Sequence, residues 1–271
     1  MTALPDRLAP YDWSLYLVTD TAMCTAAGRT VADTVAEAVA GGAGIVQIRD
    51  KDASDEEVAR ITRETVAALE RAGRTITPGD RNARGGSSAP GDPSAQDAAT
   101  HGGAPAPEHR PVAVFIDDRL EVVRALRQEG LDIHLHVGQE DTPVTEVRAV
   151  LGPDPLVGLS ARTPEQFSTA AALRDETTGA ALVDLVGVGP VHDTLTKAGA
   201  PAGIGPKRLA SLAEIAAQMG LPSVAIGGID ADRAPALREA PVLGLCVVSA
   251  ICTSSDPRAA AAAIHSAYRA A

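Results

Sequence analysis

The sequence predicts one α/β domain, residues 1–271, built as a (β/α)8 TIM barrel. Roughly eight short apolar segments alternate with helical segments in a single series, which is typical of that fold. Many of the apolar segments end in charged or hydroxyl residues, and the C-terminal strand ends of a barrel share one face. A doubly wound open sheet is the alternative. It usually has fewer units and a glycine-rich first turn, which this chain lacks.

Apolar runs bounded by turn residues indicate the strands. The predicted strands are 14–19, 44–48, 112–116, 131–137, 156–159, 182–186, 223–226 and 243–248. Helices are indicated by apolar spacing and by capping residues. Ser54 with Glu57 three residues later forms a capping box, and the helix behind it runs to about Ala72. Further helices are expected at 31–39, 122–126, from 164, at 207–219, from Asp230 and in the alanine-rich last segment.

Residues 74–110 differ in composition from the rest of the chain. Gly, Pro, Ser and Ala dominate there, and too few large apolar side chains remain to offset the entropy of ordering. We therefore predict a disordered, low-complexity insert before strand three, with His101 and His109 as parts of a solvated linker. The insert joins the N-terminal end of its strand, so we expect deletion of residues 77–108 to leave turnover largely intact.

Composition narrows the classes of partner. A formal charge of −11 and only six Trp, Tyr and Phe residues argue against a nucleic-acid-binding surface. The three cysteines have no metal or redox spacing, and neither a secretory signature nor a membrane-spanning apolar run is present. The chain is therefore expected in the cytoplasm, with small-molecule ligands and without a membrane partner. Association with further copies of itself stays open.

A row of polar side chains follows the second strand. Gln47, Arg49 and Lys51 alternate along the chain, so they should project to one side. Two cations and an amide in a row suit the oxygens of a phosphate or diphosphate. The alternative is a strand edge that carries solvated charges.

Carboxylates end the third and fourth strands. Asp118 and Asp141 would meet on the C-terminal face of a barrel, and two facing carboxylates repel unless a cation joins them. Mg²⁺, a hard divalent ion, is the predicted ligand. Helix N-capping is the alternative role for each aspartate, and Glu140 is read as a neighbour that points away.

The later strand ends carry hydroxyls, a lysine and glycines. A long glycine-rich turn after strand six holds Thr194, Thr196 and Lys197. Gly227, Gly228 and the Ser249 region follow strands seven and eight, where barrels often bind phosphate. His136 is interpreted as a satisfied histidine of the barrel interior. No nucleophile–base pair is evident, so the site is predicted to hold phosphorylated groups and Mg²⁺ without covalent catalysis.

Six motifs in order resemble the thiamine-phosphate synthase (thiamine-phosphate pyrophosphorylase) family. Each is weak alone, but together they are specific and span nearly the whole chain outside the insert. They are QIRDK at 47–51, IDDR at 116–119, HVGQED at 136–141, the turn from Gly189-Pro190 to Lys197, IGGI at 226–229 and VSAI at 248–251.

The resemblance implies a barrel enzyme that joins 4-amino-2-methyl-5-hydroxymethylpyrimidine diphosphate to a thiazole phosphate and releases diphosphate. It implies a Mg²⁺-dependent dissociative reaction in which the thiazole nitrogen captures a pyrimidine carbocation. It places Lys51, Ser160 and Lys197 at the reacting centre and Asp118 and Asp141 on Mg²⁺. The implied substrate-binding residues are Gln47, Arg49, Lys51, Asp117, Ser160, Thr194, Thr196, Lys197, Gly228 and Ser249.

One departure and three rivals accompany this interpretation. Asp117 stands where the family usually has Asn, and a second carboxylate there would repel diphosphate unless it is turned away, protonated or engaged with metal. The rivals are a thiazole tautomerase, which should not need the full diphosphate-binding set, a non-catalytic regulator that binds thiamine precursors, and a sugar-phosphate isomerase. The last lacks a clear acid–base pair here.

Overall fold

The computed structural model describes residues 4–77, 110–194, 196 and 199–270. Eight parallel strands form a closed barrel in sequence order, which confirms the predicted fold. The strands are β1 (Leu15–Val18), β2 (Ile45–Ile48), β3 (Ala113–Asp117), β4 (Ile133–Val137), β5 (Val157–Ser160), β6 (Leu185–Val188), β7 (Ser223–Ile226) and β8 (Leu245–Val247). β8 pairs with β1 and closes the ring.

Helices surround the barrel, and side-chain caps begin several of them. Ser54 accepts a hydrogen bond from the Glu57 amide, as the capping box predicts. Asp20, Thr30, Thr163 and Asp256 cap other helices in the same way. The helices are α1 (Thr21–Ala26), α2 (Val31–Ala40), α3 (Asp55–Arg71), α4 (Leu120–Gln128), α5 (Val144–Leu151), α6 (Pro164–Ala172), α7 (Gly205–Gln218), α8 (Ser249–Cys252) and α9 (Pro257–Arg269).

Some predicted boundaries were wrong. Strand six was predicted at 182–186 but lies at Leu185–Val188, because Asp184 forms a buried ion pair with Arg148 before the strand begins. Strands four and eight are shorter than predicted, and the short helix α1 was not predicted. The helix expected from Asp230 is only a 3₁₀ helix, Ala234–Leu237, preceded by a turn whose Arg233 amide bonds the Asp230 carboxylate.

The two faces of the strands serve different cores. Outward side chains such as Leu17, Val46 and Val114 pack against the helices in the main core. Inward side chains such as Tyr16 and Phe115 fill the barrel, together with Tyr11 and Trp13 from the segment before β1. The alternation of the strands thus leaves the barrel interior filled with side chains.

The ends of the insert lie side by side at the N-terminal end of β3. The Val112 amide donates to the Thr75 carbonyl at 2.9 Å, and the Arg74 guanidinium donates to the Arg110 carbonyl at 3.1 Å. Residues 78–109, with His101 and His109, lie outside the described residues, so the predicted disorder there stays a prediction. Within the described ranges, no helix is long and apolar enough to cross a membrane.

Candidate functional site

Three neighbouring strands bring polar side chains into the barrel interior near their C-terminal ends. Gln47 in β2, Asp117 in β3 and His136 in β4 have the same inward parity as the apolar residues of the interior core. The register places Asp117 opposite His136, and Gln47 opposite Phe115. The side chains that line the barrel interior are therefore apolar in the middle of these strands and polar at their C-terminal ends.

Asp117 is the centre of this polar layer. Its carboxylate accepts a hydrogen bond from the Gln47 amide nitrogen at 2.6 Å. It also lies 3.4 Å from Nε of Arg49 and 3.2 Å from Nζ of Lys51. The predicted row of Gln47, Arg49 and Lys51 thus projects to one side, and all three converge on one carboxylate. The repulsive second carboxylate expected from the sequence is engaged with these donors.

Lys51 also contacts Asp118, which begins the turn after β3. Asp118 has φ of +60°, a left-handed conformation that turns the chain sharply here. Lys51 forms an ion pair with the Asp118 carboxylate. Burial works to lower the pKa of Lys51, but the hydrogen bond with Asp118 and the charges of both aspartates outweigh it and raise that pKa. Lys51 is therefore held in its cationic form.

Asp141 reaches the same place from the loop after β4. Its carboxylate accepts a hydrogen bond from the Gly138 amide at 2.9 Å. Burial raises the pKa of Asp141, and the hydrogen bond and negative charge of Asp118 raise it further. The two carboxyls predicted to meet are thus neighbours, and the proximity of Asp118 adds to burial in favouring the protonated form of Asp141.

His136 faces Ser160 across the barrel. Its Nε2 lies 3.0 Å from the Ser160 hydroxyl oxygen. Burial lowers the pKa of His136, so the imidazole is neutral at pH 7. The expectation of a fully satisfied interior histidine was wrong in part, because Nδ1 is buried without a hydrogen-bond partner in the described part of the chain. Gly158 makes room for this ring, since a Cβ there would overlap Nδ1.

The loops after β6 and β7 pack against each other on the same end of the barrel. A Cβ on Gly228 would lie 2.8 Å from the Asp193 carbonyl oxygen, so the two loops are in contact. The Thr196 amide donates to the Thr194 hydroxyl at 3.2 Å. Ser249 begins helix α8, directly after β8. Lys197 lies outside the described residues, so its placement at the site stays a prediction.

Sequence reasoning missed three contacts of the site. Tyr16 donates from its hydroxyl to the Gln47 amide oxygen at 2.7 Å. Gln139 donates to the Ser160 carbonyl at 2.7 Å, and His136 contacts the Ser160 hydroxyl. The alternation of side chains along β1 turns Tyr16 into the barrel, and this pattern could have indicated the contact between Tyr16 and Gln47. The other two depend on the register of β4 against β5, which no local pattern fixes.

Comparison with known proteins assigns this barrel to a family. The sequence profile described as thiamine monophosphate synthase matches residues 15–81 and 94–251, which include every predicted site residue. The chain belongs to the thiamine monophosphate synthase family. The predicted resemblance is therefore confirmed.

Individual members of the thiamine monophosphate synthase family are similar over most of this chain. A thiamine-phosphate synthase of Azorhizobium caulinodans is 32% identical over 252 residues, covering 93% of each chain. The thiamine biosynthesis multifunctional protein ThiED of Corynebacterium glutamicum is 34% identical over 95% of this chain, which spans only 28% of that longer protein. The solved thiamine phosphate pyrophosphorylase from Pyrococcus furiosus has the same fold, with a TM-score of 0.66, 24% identity and 96% coverage of both chains.

Proposed function

We propose that this protein is a thiamine-phosphate synthase, a transferase that joins the pyrimidine diphosphate to a thiazole phosphate and releases diphosphate. The observation that carries the proposal is a group of charges at one end of the barrel: Arg49 and Lys51 meet at Asp117, and Lys51 also pairs with Asp118, the neighbour of Asp141. Cations and a carboxylate pair together suit a diphosphate that arrives with a divalent metal ion.

The donor set fits Mg²⁺. Asp118 and Asp141 supply hard oxygen ligands, and their mutual repulsion is what a cation would relieve. Mg²⁺ typically takes one or two protein carboxylates and fills its remaining positions with water and substrate phosphates. The described residues contain no cluster of three or more His, Cys, Asp or Glu side chains that could hold a metal, so Mg²⁺ at this pair would need water and substrate oxygens as its further ligands. When bound, Mg²⁺ would supply positive charge against the leaving diphosphate.

The protein's own residues then act by charge and position. Lys51, 48% exposed, can turn from the aspartates toward a diphosphate oxygen, and Arg49 can donate beside it. Such cations stabilise the charge that develops as diphosphate leaves, so no protein nucleophile is required. We assign Lys51, Ser160 and Lys197 to the reacting centre, with Ser160 positioned by the neutral His136 and by Gln139.

The second half of the rim is assigned to the thiazole phosphate. Thr194, Thr196, Gly228 and the Ser249 region lie on the loops after β6, β7 and β8. The contact of Gly228 with the β6 loop brings these two loops together on one side of the site, and a glycine there allows a close approach of the backbone. These small-molecule ligands are the partners we propose, and the cytoplasm is the proposed compartment.

An assay of the purified chain tests the proposal. Pyrimidine diphosphate and thiazole phosphate are incubated with Mg²⁺ or with EDTA, and thiamine phosphate and diphosphate are measured. We expect both products with Mg²⁺ and a loss of at least about 100-fold with EDTA. Lys51→Ala should lose turnover to a similar extent, whereas Arg124→Ala, which removes an exposed cation on α4, should not.

The outcome separates the rival functions. If both ligands bind and no product forms with Mg²⁺, the synthase proposal is wrong, and a thiamine-precursor-binding regulator or a thiazole tautomerase takes its place. If Lys51→Ala retains full turnover per folded molecule, the role of the cation row is wrong even though the reaction is right.

A further inference from the structure

The carboxylate of Asp117 is paired with both cations of the proposed diphosphate site, Arg49 and Lys51. Its two oxygens contact Gln47, Arg49 and Lys51 at 2.6, 3.4 and 3.2 Å. We infer that Asp117 is a positioning residue that competes with diphosphate for Arg49 and Lys51 and thereby sets the affinity of the site for diphosphate. The inference rests on the proposed function, because it names a property of that same site.

The orientation of the Gln47 amide is fixed from both ends. Tyr16 is fully buried, and burial raises the pKa of its phenol well above the usual value, so it stays protonated and donates. Its hydroxyl donates to the Gln47 oxygen at 2.7 Å, which turns the amide nitrogen toward Asp117. An amide flip would place two acceptors together at Asp117 and leave the buried Tyr16 hydroxyl proton without its acceptor.

This fixed orientation determines what a neutral side chain would do at position 117. An amide there would accept from Gln47 with its oxygen, and its NH₂ group would then face Arg49 and Lys51. Donor would meet donor, so the two cations would be released. The carboxylate is therefore the form of this side chain that can hold the cations and the Gln47 amide at the same time.

Competition of this kind has opposite effects on binding and on release. Diphosphate must displace a carboxylate from Lys51 and Arg49, so its affinity is lower than for two free cations. Once the reaction has made free diphosphate, the carboxylate is in place to reclaim the same cations, which favours departure of the product. Lys51 can exchange between the two because its side chain is 48% exposed, whereas that of Asp117 is 12% exposed.

Calorimetric titration with inorganic diphosphate tests the inference without turnover. The wild-type chain, Asp117→Asn and Glu140→Gln are compared, each with Mg²⁺ and with EDTA. Glu140→Gln is the matched control, because it removes one negative charge from the same end of the barrel at an exposed residue next to Asp141. We expect Asp117→Asn to bind diphosphate about tenfold more tightly with Mg²⁺ and in EDTA, and Glu140→Gln to change the affinity less than about threefold.

Steady-state kinetics supply a second readout that damage to the fold would not produce. For Asp117→Asn we expect a lower KM for pyrimidine diphosphate and stronger inhibition by the diphosphate product, with no gain in kcat. A merely structural defect would weaken binding instead.

Each failure has its own signature. If the wild-type chain does not bind diphosphate even with Mg²⁺, the proposed function is wrong. If the wild type binds and Asp117→Asn binds equally or more weakly, the competition by Asp117 is wrong and the proposed function stands. If Asp117→Asn and Glu140→Gln tighten binding equally, the effect is one of net charge, and the positioning role is likewise wrong.

Discussion

Protonation of His134 should weaken the fold as the pH falls. This histidine lies inside the barrel and is only 2% exposed. Its Nδ1 accepts from the Leu156 amide at 3.2 Å, so the ring proton sits on Nε2, 3.3 Å from the Tyr11 hydroxyl. Burial lowers the pKa of His134 to about 4, while the Asp132 carboxylate opposes and nearby arginines add to that effect. A protonated ring would turn a second N–H toward the Leu156 amide and lose that hydrogen bond.

The size of the effect follows from linkage. The pKa in the unfolded chain is about 6.5, so the unfolded state binds more protons than the folded state below that pH. The contribution of neutral His134 is complete above pH 6.5 and is lost as the pH falls toward the folded pKa. With a folded pKa of about 4, the loss is about 2 kcal/mol at pH 5 and about 3 kcal/mol at pH 4.

Urea unfolding of the wild type and of His134→Gln at pH 7.5, 6, 5 and 4 measures this contribution. The variant should be less stable at pH 7.5, and the gap in unfolding free energy should narrow by about 2 kcal/mol at pH 5. Tyr11→Phe keeps the imidazole, so its curve should stay as steep as that of the wild type. Parallel pH curves for the wild type and His134→Gln would refute the reasoning.

Three further predictions concern the site and the insert. Asp141→Asn removes the repulsion with Asp118, so the ligand-free variant should melt no lower than the wild type while Mg²⁺-dependent turnover falls at least about 100-fold; a normal rate per folded molecule would contradict the metal assignment. Gly158→Ala places a methyl group into the His136 ring and should cost about 2 kcal/mol in urea unfolding, a cost that an unchanged midpoint would exclude. Replacing residues 77–108 with a short Gly-Ser linker should leave kcat within about twofold, because the ends of the insert are already paired at the N-terminal end of β3. A large fall in kcat with the fold intact would show that the insert serves the reaction.

The barrel and the rim of the site could be predicted from sequence for one physical reason. Parallel strands that alternate with helices bring their C-terminal ends to one face, so residues after separate strands become neighbours. Lys51, Asp118 and Asp141 follow three successive strands and were predicted to share this face, and the structure has them as neighbours. Their roles in binding diphosphate and Mg²⁺ stay predictions.

What the sequence could not reveal depends on register and on buried charge. The contact between His136 and Ser160 needs the register of β4 against β5, and the triple engagement of Asp117 needs that of β2 against β3. The predicted bounds of strand six were wrong because apolar residues flank Asp184, whose carboxylate is buried beside Arg148. A local apolar run cannot show that a charge within it has a partner 36 residues away.

The segment before β1 has consequences for the order in which the barrel can form. The Arg7 guanidinium donates hydrogen bonds to the carbonyls of residues 153–155, and Trp13 packs edge-on against Phe115. The Tyr11 hydroxyl contacts His134, which lies 123 residues further along the chain. During synthesis these early aromatic side chains therefore emerge long before the strands that cover them. Closure of such distant contacts is entropically slow, and apolar surface exposed meanwhile invites aggregation. Packing of the segment before β1 against the barrel must therefore come late, after β3, β4 and residues 153–155 have left the ribosome.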